Sequence, residues 1–209
     1  MQHLHRPEAP IAAALALTHG AGSNCDAPLL RGLADEFAAA GVLTLRYDLA
    51  FREAGRPPHP ATAARDRDSV RAAVGALRQL TDGPVFAGGH SYGGRQTSMA
   101  AAEDPELVSG LLLLSYPLHP PDKPAQTRTA HFPDLKTPSL FFHGAKDGFG
   151  TEAELRGALT AIPGGAWLEM VEGAGHELAR AKALPVLVNR IVREFRLRFA
   201  ALTGNPAGL

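Results

Sequence analysis

The stretch that most constrains this chain is residues 84–94, Pro-Val-Phe-Ala-Gly-Gly-His-Ser-Tyr-Gly-Gly. Val85, Phe86 and Ala87 form a short apolar run that enters a glycine-rich turn with Ser91 at its apex, and a helix-permissive segment starts at Gly93. The reading is strand, sharp turn, helix. Gly89, Ser91 and Gly93 satisfy G-x-S-x-G, a spacing that suits a turn tight enough to strain the serine backbone, where a flanking Cβ would collide with the strand or the helix. Such a turn lifts the serine Oγ beyond the strand's carboxyl end, above a helix amino terminus whose N–H groups point at developing negative charge. Ser91 is the first candidate nucleophile. The triplet alone does not decide the matter. With 22 glycines and seven serines scattered at random, it arises with a chance of about one in ten.

The rest of the chain alternates apolar runs with amphipathic stretches. Residues 11–18 form a continuous apolar run suited to a strand buried on both faces, ended by His19-Gly20-Ala21-Gly22. Residues 28–40 carry Leu29, Leu30, Leu33, Phe37 and Ala40 on one helical face, with Gly41 as the stop. A β-rich run follows over 42–49. Pro57, Pro58 and Pro60 make 51–60 a surface loop. Residues 61–80 read as a long helix with Val70, Val74 and Leu77 inward and Arg65, Arg67, Arg71 and Arg78 largely outward, a solvated face rather than an anion site. Further strands are expected over 111–115, 139–143 and 166–171, and helices over 95–103, 152–162 and 183–202. The last helix carries Leu187, Ile191, Phe195 and Phe199 on one stripe.

Residues 116–138 break the alternation with six prolines (Pro117, Pro120, Pro121, Pro124, Pro133 and Pro138), an excursion too short for a helical cap domain. Residues 1–10 read as a lead-in without periodicity and 203–209 as a loose tail. The expectation is one α/β domain over 1–209, built on a mostly parallel sheet of about six to seven strands flanked by helices, with no large cap. In such sheets ligands bind beyond the carboxyl ends of the strands.

Charge and cysteine content narrow the partners. Twenty-one Lys and Arg balance 21 Asp and Glu, which gives no electrostatic case for nucleic acid or an anionic membrane. No run approaches a membrane span. The apolar stretch 11–17 is too short and wrongly flanked for a signal peptide, given Glu8 and Pro10 before it. Cys25 is the only cysteine, so a disulfide within the chain is impossible and a reducing cytoplasm is the expected compartment. Cys25 has no base motif of its own and reads as a buried or half-buried thiol. The histidines, His119 and His131 among them, show neither i, i+4 helical pairing nor cysteine partners, so neither a metal nor another cofactor is expected.

A serine hydroxyl is a weak nucleophile until a base takes its proton, and the base needs an acid to orient it. Asp147 lies just after the strand 139–143, and His176 lies in the glycine-rich loop after the strand 166–171. Ser91, Asp147 and His176 therefore occur in the order nucleophile, acid, base, each beyond a strand end. Asp122 and Asp134 are rival acids only if the proline-rich excursion folds back over the site. His90, inside the turn, should point away from substrate, and His19 and His143 should orient or pack.

On the stretches Leu17-Thr18-His19-Gly20-Ala21-Gly22-Ser23, Gly89-His90-Ser91-Tyr92-Gly93-Gly94-Arg95, Tyr116-Pro117-Leu118-His119-Pro120-Pro121, His143-Gly144-Ala145-Lys146-Asp147 and Gly175-His176, the chain resembles the α/β-hydrolase superfamily over nearly its whole length. More narrowly it is similar to the small, lidless, dienelactone-hydrolase-like branch, including a group of testis-expressed-protein-type hydrolases. The resemblance implies a Ser-His-Asp triad and hydrolysis of a small-molecule ester or thioester without a cofactor. Dienelactone hydrolases proper carry cysteine where Ser91 stands, so their particular substrate is not implied. Two backbone N–H groups are needed for the oxyanion of the tetrahedral intermediate, one from Tyr92 and one from Ala21 or Gly22, with Gly20 and Gly22 allowing a close approach of substrate. Phe51, Leu118, His119 and Phe149, with Tyr92, are the expected walls of a shallow site. Two other functions share this sequence pattern: a non-catalytic binding or scaffold protein on the same fold, and a lyase or acyltransferase using the same three residues. Oligomeric state has no signature in the chain.

Overall fold

Seven strands hydrogen-bond into one sheet in a computed structural model that describes residues 1–178 and 181–200. The strands are β1 (Gln2–His5), β2 (Ala13–Thr18), β3 (Val42–Tyr47), β4 (Val85–His90), β5 (Leu111–Leu114), β6 (Ser139–Gly144) and β7 (Ala166–Val171). Their spatial order is β1-β3-β2-β4-β5-β6-β7, and every pair is parallel except β1 with β3. Helices α1 (Pro28–Ala39), α2 (Ala50–Glu53), α3 (Ala63–Arg78), α4 (Tyr92–Glu103), α5 (Glu152–Leu159) and α6 (Leu184–Phe199) supply the crossovers and the flanking layers.

The continuous apolar runs become the central strands because both of their faces are covered. Alternate residues of β2 illustrate the division. Ala13, Leu15 and Leu17 face a core with Leu30, Leu33, Ile191 and Phe195 of α1 and α6, while Ala14 and Ala16 face one with Val70, Val74 and Ala100 of α3 and α4. On the first side Phe86, Phe195 and Phe199 stack edge-on or tilted, with centroids 4.7 to 5.1 Å apart, geometries that favour aromatic quadrupoles. The stripe Leu187, Ile191, Phe195 and Phe199 is buried as the helical spacing requires.

Several boundaries differ from expectation. The lead-in over residues 1–10, which carries no periodicity, contains a strand: Gln2–His5 pairs antiparallel with β3, from Gln2 opposite Tyr47 to His5 opposite Thr44. Polar contacts tie this edge strand down: the Met1 ammonium lies 2.9 Å from Glu53 and His5 lies 2.9 Å from Asp35. A strand held by polar contacts leaves no hydrophobic alternation to read. A short helix, α2, overlaps the start of the expected loop 51–60, and Pro60–Thr62 form a single 3-10 turn before α3.

Arg65 is exposed, as expected, but the other three arginines of α3 are not simply solvated. Arg67 lies 2.8 Å from Glu103, Arg71 also pairs with Glu103, and Arg78 donates 2.8 Å to the Leu107 carbonyl. They clamp α3 to α4 and the segment that follows it. The excursion over 116–138 holds one 3-10 turn, Phe132–Asp134, and no cap domain. Residues 201–202 of the expected last helix and the expected tail 203–209 lie outside the described residues. Among the described residues no helix is long and apolar enough to cross a membrane.

Candidate active site

Ser91 links β4 to α4 with φ 51° and ψ −119°. A non-glycine residue there is strained, of order 1–3 kcal/mol, and persists only where its surroundings over-determine it. Backbone packing does so here. The Ser91 N–H donates to the Leu114 carbonyl at 2.8 Å, and its carbonyl accepts from the Arg95 N–H at 3.0 Å. A Cβ on Gly93 would overlap the His19 carbonyl oxygen, and one on Gly89 would lie 2.8 Å from the Gly94 nitrogen. The glycines let α4 start hard against the sheet, which fixes the serine at its apex.

The loops after β6 and β7 meet that apex. They are joined by the Lys146 N–H donating to the Ala174 carbonyl at 2.8 Å. Asp147 and His176 come together with Oδ2 2.8 Å from Nδ1, and His176 Nε2 is 2.8 Å from Ser91 Oγ. A carboxylate only accepts, so the His176 proton belongs on Nδ1, which leaves Nε2 free to accept from the serine hydroxyl. The other Asp147 oxygen accepts from the Phe149 N–H at 2.9 Å. Burial pushes the Asp147 pKa up, but the hydrogen bonds from His176 and the Phe149 N–H outweigh it, and the carboxyl sits below its ordinary value. Phe149 stacks on the imidazole with ring centroids 4.4 Å apart. Asp122 and Asp134 are exposed and make no contact with this chain of bonds.

The neighbouring histidines hold backbone in place. His90 Nε2 lies 2.8 Å from the His176 carbonyl, so its N–H fixes the loop that carries His176. His143 Nε2 donates to the Gly150 carbonyl at 2.9 Å beneath Asp147. His19, fully buried, accepts from the Leu49 N–H at 3.1 Å through Nε2. Burial is the leading cause that lowers the pKa of all three and keeps them neutral.

Ala21, Ser91, Tyr92 and Phe149 line one cavity of about 600 Å³. Tyr92 is the first residue of α4, so its N–H stands outside the helical ladder. Gly20 is constrained by its neighbours: a Cβ there would lie 3.1 Å from His90 Nδ1 and 3.3 Å from Ser91 Cβ. Gly22 has open space around it and is exposed.

Three of the expected walls are not walls. Phe51 is buried one layer down, edge-on to both Tyr92 and His19. Leu118 is buried against Gly150. His119 is buried too, 2.8 Å from the Pro120 carbonyl and 3.4 Å from Glu154, and pins the excursion to α5. An apolar residue beside a site motif goes to the core unless a charge or a turn holds it out, and none does at these positions. The walls that sequence reasoning missed are Pro58, His59, Met99, Pro117 and three arginines, Arg67, Arg95 and Arg128. Arg95 carried a signal, since it lies one helical turn after Ser91 and shares its face.

His3, Cys25 and Asp26 place ligand atoms within 4.8 Å of one another. They do not fit a resident metal: Asp26 is paired with Arg46 at 2.9 Å, and burial raises the Cys25 thiol to about 11.

The fold has counterparts among solved structures. Est1E from Butyrivibrio proteoclasticus superposes with a TM-score of 0.76 at 17% identity, covering 96% of this chain and 94% of that one. A dienelactone hydrolase from Anabaena variabilis gives 0.74 at 25% identity, covering 93% and 89%. XC6422 from Xanthomonas campestris, described as a member of the α/β serine hydrolases without a lid, gives 0.69 at 16% identity, covering 93% and 88%. A family model for an alpha/beta hydrolase domain matches residues 11–199. The chain belongs to the α/β-hydrolase family.

Proposed function

We propose that this protein is a serine hydrolase that cleaves a small ester or thioester through an acyl-enzyme. The observation that carries this reading is the unbroken series from Asp147 Oδ2 to His176 Nδ1 and from His176 Nε2 to Ser91 Oγ, each step 2.8 Å. Strain at Ser91 and the stacking of Phe149 on His176 support it.

In the first half-reaction His176 takes the Ser91 proton as Oγ attacks the acyl carbon. The carbonyl oxygen becomes an oxyanion, stabilised by the N–H groups of Tyr92 and Ala21. As the tetrahedral intermediate collapses, the bond to the leaving oxygen or sulfur breaks, and that atom leaves with the proton from His176. In the second half-reaction His176 takes a proton from water, the hydroxide attacks the acyl-serine, and Oγ leaves with the proton returned. Asp147 stays ionised throughout, holding the tautomer and stabilising the imidazolium.

The cavity, with no cap domain in the excursion over 116–138, suits small or protruding acyl groups. The lone Cys25 fits a cytoplasmic setting. The test is labelling by a fluorophosphonate probe. Labelling of the wild type and none of Ser91→Ala is expected; an unlabelled wild type, or equal labelling of both, overturns the reading.

A further inference from the structure

Three cationic side chains, Arg67, Arg95 and Arg128, line the cavity that holds Ser91, and among the described residues no acidic side chain lines it. The whole chain is electrically balanced, with 21 basic and 21 acidic residues, so this local excess is a property of the site. One of the three is accounted for, since Arg67 lies 2.8 Å from Glu103. Asp66, a buried acid behind the cavity-lining Tyr92, is also committed: its oxygens accept from the Phe51 N–H at 3.0 Å and the Tyr92 hydroxyl at 2.7 Å. Among the described residues neither Arg95 nor Arg128 has a carboxylate partner.

Both are held toward the cavity rather than left to find solvent. Arg95 lies one turn into α4, with its backbone N–H bonded to the Ser91 carbonyl at 3.0 Å, and its Nε is buried without a hydrogen-bond partner. Arg128 is fixed by backbone. Its N–H donates to the Leu118 carbonyl at 2.8 Å, its carbonyl accepts from the Tyr116 hydroxyl at 2.7 Å, and its side chain reaches the Pro117 carbonyl at 3.5 Å. Burial and the nearby Arg95 charge both lower the Arg128 pKa. Bringing two half-buried guanidiniums together without a counter-charge is unfavourable, and a ligand oxyanion would relieve it.

We infer that Arg95 and Arg128 form an anion subsite beside Ser91, so that the substrate is an ester or thioester bearing a terminal oxyanion, a carboxylate or a phosphate-type group. This rests on the reading of Ser91 as the nucleophile. The planar guanidinium fork accepts either oxyanion in bidentate fashion, and Arg67, neutralised by Glu103, borders the subsite without joining it. Pro58, Met99 and Pro117 supply the apolar wall for the chain that links the anion to the scissile bond.

Three matched esters test it: monomethyl glutarate, methyl 4-phosphonobutanoate, and methyl pentanoate as the neutral isostere. The wild type should prefer at least one anionic ester over the neutral one by about 10- to 100-fold in kcat/KM, the range for charge-assisted hydrogen bonds. That preference should fall toward unity in Arg95→Gln and Arg128→Gln and survive in part in Arg95→Lys. The carboxylate and phosphonate arms identify which oxyanion is taken. A second readout needs no turnover: calorimetric binding of glutarate and of 3-phosphonopropionate to the folded Ser91→Ala protein, with at least one weakened by about tenfold or more once Arg95→Gln and Arg128→Gln are added. Equal rates on all three esters, a preference that persists in both Gln variants, or binding of neither anion overturns the inference. If an anion binds and no ester is cleaved or probe attached, the subsite stands and the hydrolase reading falls.

Discussion

His131 offers a linkage experiment whose size follows from the structure. It sits behind α4 with Nε2 2.8 Å from the Ser98 hydroxyl and its ring edge-on to Phe132. Burial first, and then the Arg95 charge, lower its pKa from the ordinary 6.5 to about 4, against smaller opposing effects of Asp134 and Glu103. The unfolded chain regains the ordinary value, so between those two pH values the unfolded state binds more protons and stability falls as pH falls. The contribution is fully present above pH 6.5 and lost on approaching pH 4. At about 1.36 kcal/mol per pH unit of separation, the loss by pH 4 is on the order of 3 kcal/mol.

His131→Gln keeps a partner for Ser98 and cannot titrate. Urea unfolding of both proteins between pH 7.5 and 4, extrapolated linearly to water, should give curves that converge as pH falls, the wild type losing about 3 kcal/mol more than the variant. Parallel curves would mean that His131 titrates normally in the folded protein, and the argument from burial beside Arg95 would fail.

Three further outcomes are expected. Asp147→Asn should lower kcat by about four orders of magnitude by presenting the wrong imidazole tautomer to Ser91, with circular dichroism verifying the fold; a loss under tenfold would mean the acid lies elsewhere. Gly93→Ala must push its Cβ into the His19 carbonyl, whereas Gly22→Ala enters open space. Thermal melts should show the first costing on the order of 3 kcal/mol or failing to fold and the second within about 0.5 kcal/mol of wild type, and equal effects would refute the close approach of α4. Burial, with Asp48 and Asp26 nearby, raises the Cys25 thiol to about 11, so alkylation at pH 8 should be slow in the native protein and fast in urea. Rapid native alkylation would contradict that burial.

The sheet was legible because its central strands are buried on both faces and so carry unbroken apolar runs between turn residues, as in Leu111–Leu114. Strand β1 was not, since polar contacts at Met1 and His5 hold it rather than an apolar face. The spatial meeting of Ser91, Asp147 and His176 follows from chain order, because parallel strands bring successive carboxyl ends to one edge of the sheet. The cavity walls do not follow from order. Whether Phe51 or Arg67 faces ligand depends on how α2 and α3 rotate against Tyr92 and α4, a packing outcome with no local sequence signature. Leu118 and His119 turned inward because the excursion is folded onto α5 and Gly150. Polar residues that line a site through tertiary placement, Arg128 above all, look in the sequence like any loop arginine.

The central claim is that Ser91 is acylated. Stopped-flow mixing with p-nitrophenyl acetate, followed by intact-mass analysis of the quenched protein, measures it directly. A nitrophenol burst approaching one equivalent per chain and one acetyl group mapped to the Ser91 peptide are expected, and neither in Ser91→Ala. An acetyl group on another residue, or the same burst in Ser91→Ala, would contradict it.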